Sequence, residues 1–174
     1  VLDCNKVKTI LPIDAVIMAG GVGSRLMPLT KDVPKPMLEV GGKPIMEYNV
    51  DLLRSFGISH LTLSVKYLKE VIQDYYKDGA EKEMAINYIT EDEPLGTIGA
   101  VNQIKEFYND YVFVMNSDLL TNLNLAKMFE ELTNNEADMI VATTDYQVKI
   151  PYGVVESDGN QIVALKDKPT YTYD

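Results

Sequence analysis

Ala15-Val16-Ile17-Met18-Ala19-Gly20-Gly21-Val22-Gly23-Ser24-Arg25-Leu26-Met27-Pro28-Leu29-Thr30-Lys31-Asp32-Val33-Pro34-Lys35-Pro36-Met37-Leu38 is the stretch around which the remaining chain is read. It opens as an uncharged apolar run, Ala15 to Met18, the mark of a strand buried on both faces. The run breaks at Gly20, Gly21 and Gly23, and Arg25 follows. Lys35 comes next among the cations of interest, held between Pro34 and Pro36. A strand that ends in a glycine-rich turn exposes backbone N–H groups with no side chains in the way, and such a turn can wrap an anion. Two cations on a stiff loop beside it suggest more than one phosphate group. Glycines alone also serve as a bare strand-to-helix turn, so the cations carry the argument. The familiar phosphate motifs do not apply. No Gly-x-x-x-x-Gly-Lys-Ser/Thr run exists, and Gly-x-Gly-x-x-Gly fails because Leu26 stands where the third glycine belongs.

The chain has 174 residues, 46% of them hydrophobic, enough for one domain with a real core. The expected organisation is an entry segment, 1–13, leading from an upstream domain, and one domain over 14–174. No apolar run reaches bilayer length, and no leader is visible, so a membrane partner is not expected. Cys4 is the single cysteine, which excludes an internal disulfide and suits a reducing, cytoplasmic compartment. The net charge of −10 argues against nucleic acid as a partner. It does not exclude small phosphorylated substrates, since salt screens distant charge beyond about 10 Å. His60 is the only histidine, so no Ser-His-Asp triad or His-rich zinc site can be built. Carboxylates, cations, backbone and metal remain.

Outward from the opening stretch, strands and helices alternate. Gly41-Gly42-Lys43-Pro44 reads as a turn with Pro44 at the first helical position. Ile45, Tyr48, Leu52 and Phe56 recur at helical spacing, and Gly57 ends the helix. A strand is expected over His60–Val65. Leu68, Val71, Ile72 and Tyr75 mark a second helix that stops near Gly79. Strands at Ala85–Thr90 and Tyr111–Met115 flank a loop, Glu91–Gly99, and a helix, Ala100–Phe107. Leu125, Met128, Phe129 and Leu132 place a further helix, and Met139–Thr144 a further strand. Asp158-Gly159-Asn160 joins two hairpin strands. The alternation implies an α/β, Rossmann-like three-layer sandwich with a mainly parallel sheet. Ligands of such sheets lie beyond the carboxyl ends of the strands. The loops Ala19 to Lys35, Glu91 to Gly99 and Asn116 to Asp118 all follow strands and can converge there.

The opening stretch resembles the signature of the sugar-1-phosphate nucleotidylyltransferases. That signature reads Leu/Met-Ala-Gly-Gly-x-Gly-Thr/Ser-Arg-Leu, then Pro-Leu-Thr, then Pro-Lys-Pro-Met-Leu. Here it stands without a gap as Met18 to Leu26, Pro28-Leu29-Thr30 and Pro34 to Leu38. The resemblance implies nucleotidyl transfer from an NTP to a hexose-1-phosphate. Ala19, Gly20, Gly21, Gly23 and Ser24 would wrap the nucleotide. Arg25 would hold the leaving β- and γ-phosphates, and Lys35 would bear on the α-phosphate. Asn116-Ser117-Asp118 resembles the family's metal element, which makes Asp118 the expected Mg2+ ligand. Taken alone, an Asp after a strand reads as a helix cap.

Glu91 to Ala100 resembles the family's Glu-Pro-Leu-Gly-Thr-Ala-Gly motif, with Ile98 in place of the usual alanine. By that resemblance Glu91, Gly96 and Thr97 line the nucleobase site. An ionised carboxylate only accepts hydrogen bonds, and guanine offers two donors on one edge where uracil or thymine offers one. The expectation therefore leans to GTP, with a UTP- or dTTP-using enzyme as the alternative. Tyr152-Gly153-Val154-Val155 and Lys166-Asp167-Lys168-Pro169 resemble the sugar motifs. Gly153 and Asp167 would face the sugar, and Lys168 its phosphate. Asp167 stands where the family has glutamate, which leaves the sugar open. Family members continue beyond Asp174 with another metal-binding aspartate. The expectation is therefore the N-terminal portion of the family domain, with activity of that portion alone left open. A regulatory relative that binds without catalysis, and a glycosyltransferase on a similar sheet, are the competing readings. The latter usually carries Asp-x-Asp, which Asn116-Ser117-Asp118 lacks. Oligomeric state is not fixed by the sequence.

Overall fold

A computed structural model describes residues 10–91, 96 and 98–173. The chain divides into two units, Val1–Glu131 and Leu132–Asp174. The first is built on a parallel sheet. Its strands in chain order are β1 (Ile13–Ala19), then the two-residue pair β2 (Glu39–Val40) and β3 (Lys43–Pro44), then β4 (His60–Val65), β5 (Ala85–Thr90) and β6 (Tyr111–Asn116). Helices α1 (Ile45–Ser55), α2 (Lys69–Tyr76) and α3 (Leu125–Asn134) alternate with them. The sheet order is β5-β4-β1-β6, all parallel. β1 is therefore central and paired on both sides, which is why Ala15, Val16 and Ile17 are almost wholly buried. Asp14 shares that strand and is buried too. Its carboxylate accepts hydrogen bonds from the backbone N–H groups of Tyr108, at 2.6 Å, and Asn109, and from the Asn109 side chain at 2.7 Å.

Two features of this topology position the site. The strands end level: Ala19 pairs with Val65, Val65 with Thr90, and Met18 with Asn116. The order also reverses at β1. From β1 the chain moves to β4 and β5 on one side, then jumps back to β6 on the other. The crevice between the carboxyl ends of β1 and β6 is the topological switch point, where open α/β sheets bind ligands.

α1 differs from its sequence reading by one position. Met46, Val50 and Leu53 are buried, with Glu47 and Asn49 among them, while Ile45, Tyr48, Leu52 and Phe56 are half-buried. Both stripes are apolar, and the two buried polar residues mask the inner one. Pro44 caps α1 with extended backbone rather than opening it. In α2 the buried residues are Ile72 and Tyr76, whereas Val71 and Tyr75 are exposed. The helix expected over Ala100–Phe107 is only a short 3-10 turn, Gly99–Gln103. Leu11, Ile13, Leu61, Leu63, Ile86 and Met115 close the core with the helices.

The unit Leu132–Asp174 is a set of antiparallel ladders. β7 (Tyr146–Lys149) pairs with β10 (Thr170–Tyr173), and β8 (Val154–Asp158) forms the expected hairpin with β9 (Gln161–Lys166). Gly159 turns that hairpin at φ 57°. The strand expected over Met139–Thr144 is absent, and Met139 and Val141 are exposed. The ladder runs instead through Tyr146–Lys149, because its partner Thr170–Tyr173 lies over twenty residues away and offers no local signal.

Candidate functional site

Gly20 follows β1 directly. A Cβ added there would stand 3.1 Å from Glu91 Oε1 and 3.4 Å from Lys66 Cβ, so a side chain here would require the Glu91 carboxylate to give by a few tenths of an ångström. A Cβ added at Gly21 would meet nothing within 4 Å. Gly23 has φ 67°, the left-handed region that favours glycine. Its carbonyl accepts hydrogen bonds from Leu26 N at 2.9 Å and from Thr30 Oγ1 at 3.1 Å. Thr30 is fully buried, so this bond pins the loop from inside. Ser24–Leu26 forms one turn of 3-10 helix, with Ser24 and Arg25 exposed. Pro34 and Pro36 are buried on either side of Lys35, which is half-exposed. Gly23, Arg25, Leu26 and Lys35 together line a cavity of about 340 Å³. Among the described residues no carboxylate pairs with Arg25.

Lys35 reaches across the switch point. Its ammonium donates to Asp118 Oδ2, joining the loop after β1 to the loop after β6, and each side chain is 31% exposed. Asp118 owes its position to the preceding loop. Ser117 N donates to Met18 O at 3.1 Å, which extends the β1–β6 pairing past the strand ends. Asn49 Nδ2, from α1, donates to Ser117 O at 3.1 Å and to Asn116 O at 3.4 Å. The cation, the carboxylate and the glycine-rich backbone thus meet at one crevice.

One carboxylate in this setting fits Mg2+, which takes one or two carboxylates and completes its shell with phosphate oxygens and water. Among the described residues no group of three or more His, Cys, Asp or Glu gathers, so a closed all-protein cage is absent there.

Glu91 sits at the carboxyl end of β5, where its N–H continues the ladder to Val65 O at 3.2 Å. It is 7% exposed, and its Oε1 accepts from the buried Ser64 hydroxyl at 2.5 Å. The expected base-reading carboxylate therefore lies directly behind Gly20, with one oxygen engaged by Ser64. Gly96 is exposed at φ 78°. Thr97, and Asp92 to Leu95 of the same motif, lie outside the described residues.

The sugar-motif residues belong to the unit Leu132–Asp174. Val154 pairs with Lys166, so Gly153 just before β8 and Asp167 just after β9 come to one end of the hairpin. Lys168 follows at φ 45°, and all three are exposed. A Cβ at Gly153 would meet nothing within 4 Å, so packing does not demand glycine there. Sequence reading passed over Asn49, Ser64 and the internal role of Thr30. For Asn49 the usable signal was an amide on the inner side of an apolar helix. For Ser64 it was a hydroxyl inside an apolar strand.

Comparison with known proteins agrees with this geometry. The nucleotidyl transferase family model matches residues 14–173. The chain is 34% identical over 158 residues to a mannose-1-phosphate guanylyltransferase of Mycobacterium tuberculosis, covering 90% of this chain and 44% of that protein. It is 36% identical over 149 residues to a D-glycero-alpha-D-manno-heptose 1-phosphate guanylyltransferase of Campylobacter jejuni, covering 86% of this chain and 65% of that protein. The chain thus spans about half to two thirds of the length of these relatives. Among solved structures, HddC from Yersinia pseudotuberculosis complexed with GMP-PN superposes with a TM-score of 0.63 at 29% identity, covering 91% of this chain and 72% of that one. Glycine loop, paired lysine and aspartate, sheet order and these likenesses converge: the chain belongs to the nucleotidyl transferase family, among the sugar-1-phosphate nucleotidyltransferases.

Proposed function

We propose that the protein transfers a nucleotidyl group from an NTP, GTP in preference, to a hexose-1-phosphate. The observation that carries this is the Lys35–Asp118 pair across the switch point, beside the cavity that Arg25 shares with the glycine turn. An oxygen of the sugar phosphate forms the new bond to the α-phosphorus. The bond from that phosphorus to the β-phosphate oxygen breaks, and pyrophosphate leaves. No enzyme nucleophile is needed, so catalysis comes from alignment and from neutralising phosphate charge. The backbone N–H groups at Gly20, Gly21 and Gly23 would approach the phosphates. Arg25 would hold the leaving β- and γ-oxygens, and Lys35 the α-oxygens. Asp118 would hold Mg2+, which when bound supplies further neutralisation of phosphate charge. Lys168 would seat the sugar phosphate, with Gly153 and Asp167 toward its hydroxyls.

The guanine preference rests on the guanylyltransferases among the relatives; Glu91, the acceptor expected to read the base, is buried with one oxygen taken by Ser64. Relatives also include uridylyltransferases, so UTP is the alternative. The test is pyrophosphate release by the full-length protein with each NTP, a panel of hexose-1-phosphates and Mg2+. GTP is expected to exceed UTP and dTTP in kcat/KM by about tenfold or more. A preference for UTP or dTTP would overturn the guanine assignment, and no release with any pair would overturn the activity. Asp118→Asn should fold normally and lose roughly 10²–10³-fold in kcat, the scale of one lost charge-stabilising group. Full Mg2+-dependent turnover in that variant would refute its role.

A further inference from the structure

We propose that Asn49 is a positioning residue, whose side-chain amide fixes the Asn116–Ser117 backbone so that Asp118 presents its carboxylate to the metal and phosphates. The inference rests on the nucleotidyl-transfer reading above and deepens it.

Asn49 is 1% exposed, among Met46, Val50 and Leu53, each buried to the same degree, with Glu47 the other buried polar residue of α1. An amide in such a place is costly unless its hydrogen bonds are made. The N–H groups of Asn49 go to the carbonyls of Asn116 and Ser117, the two residues that directly precede Asp118. Ser117 is itself buried, and its N–H is bound to Met18 O. The turn is therefore gripped from two directions, by β1 through Ser117 N and by α1 through Ser117 O. With the backbone N–H and C=O of Ser117 both bonded, the two peptide planes flanking it are held, the second of which leads to the Cα of Asp118. α1 is in turn tied to the loop that carries Lys35, since Ile45 N donates to Leu38 O at 2.9 Å. One helix thus indexes both partners of the Lys35–Asp118 pair. A role in packing alone would require none of these bonds to fall on the residues next to Asp118.

The experiment compares Asn49→Leu, which fills the space, and Asn49→Asp, which keeps the shape and removes the donors, in the full-length protein. Mn2+ serves as the probe, its free signal read by electron paramagnetic resonance in the presence of nucleotide. Groups that orient a metal ligand change metal affinity by about 10–100-fold, so half-saturating Mn2+ should rise by that factor in both variants. KM for the hexose-1-phosphate should stay within about twofold, since the Asn49 amide is spent on the backbone of Asn116 and Ser117. Adding Asn49→Leu to Asp118→Asn should weaken Mn2+ binding no further, because the two act through one ligand. Unchanged Mn2+ binding in a folded variant would overturn the proposal. So would an additive double variant, or failure of both variants to fold. If the parent binds Mn2+ with nucleotide but turns over no hexose-1-phosphate, the proposed function fails while the Mn2+ titration still decides Asn49.

Discussion

Gly21 and Gly23 lie two residues apart, yet the structure itself calls for glycine only at Gly23. Gly23 has a left-handed backbone, and an added Cβ would stand 3.1 Å from both Lys35 Cβ and Thr30 Cγ2. Gly23→Ala should therefore cost about 1–3 kcal/mol from the backbone conformation alone, and it should displace Lys35. Gly21 has neither a positive φ nor any neighbour within 4 Å. Gly21→Ala should leave stability within about 0.5 kcal/mol, while turnover falls if a phosphate must approach that backbone. Urea unfolding and pyrophosphate release on the two variants check this contrast. Equal effects on stability would show that the loop geometry is misread. The charged residues of this loop were legible in the sequence because Lys35 is bracketed by prolines and Arg25 follows glycines, neither of which suits a packing role. Asn49 and Ser64 left only a faint mark, a polar residue inside an apolar stripe or run. Only the fold shows that its partners are a carbonyl or a carboxylate from another element.

At the level of elements, the parallel strands were readable as short apolar runs ending in glycine or polar loops. The α1 stripe was read one position off, because apolar residues occupy two adjacent stripes and Asn49 and Glu47 interrupt the inner one. β7 and β10 depend on each other across the sequence, so neither could be found locally. α2 shows how an element can be closed by a residue outside it. It ends at Lys77, whose φ is 49°, and the Tyr88 hydroxyl on β5 donates to the Lys77 carbonyl at 2.6 Å. Tyr88→Phe should cost about 0.5–1.5 kcal/mol at neutral pH, the net worth of one such bond. Burial, with Asp78 adding to it, pushes the Tyr88 phenol up to about 12 from its ordinary 10. The folded state thus holds the proton more tightly than the unfolded one. The associated stability is fully present below pH 10 and is lost as pH rises through 12. Urea midpoints measured from pH 8 upward should fall more steeply across that interval in the parent than in Tyr88→Phe. Parallel curves would show that Tyr88 ionises alike in both states.

For the molecule as a whole, strand–helix alternation was enough to give an α/β class, but not the strand order. That order depends on which side of β1 each crossover returns to, and the jump from β5 to β6 leaves no trace in local sequence. The jump matters because it places the turn after β1 and the loop before Asp118 at the switch point. With a net charge of −10, the chain as a whole repels a triphosphate, so the proposed binding rests on the local cations and backbone N–H groups. The residues proposed for the nucleotide lie in the unit Val1–Glu131 and the sugar-motif residues in the unit Leu132–Asp174. This gives each ligand its own footprint in hydrogen exchange. An NTP with Mg2+ should slow exchange at residues 20–35 and at Ser117, whose N–H already closes the β1–β6 ladder. A hexose-1-phosphate should slow exchange beside Gly153 and Lys168, at the end of the hairpin where Val154 meets Lys166. At a hundred times its Kd either ligand adds about 2.7 kcal/mol to the stability of the form it binds, enough to read as protection. Protection by the sugar phosphate confined to residues 20–35 would remove Gly153, Asp167 and Lys168 from its binding site and assign the sugar phosphate to the glycine turn instead.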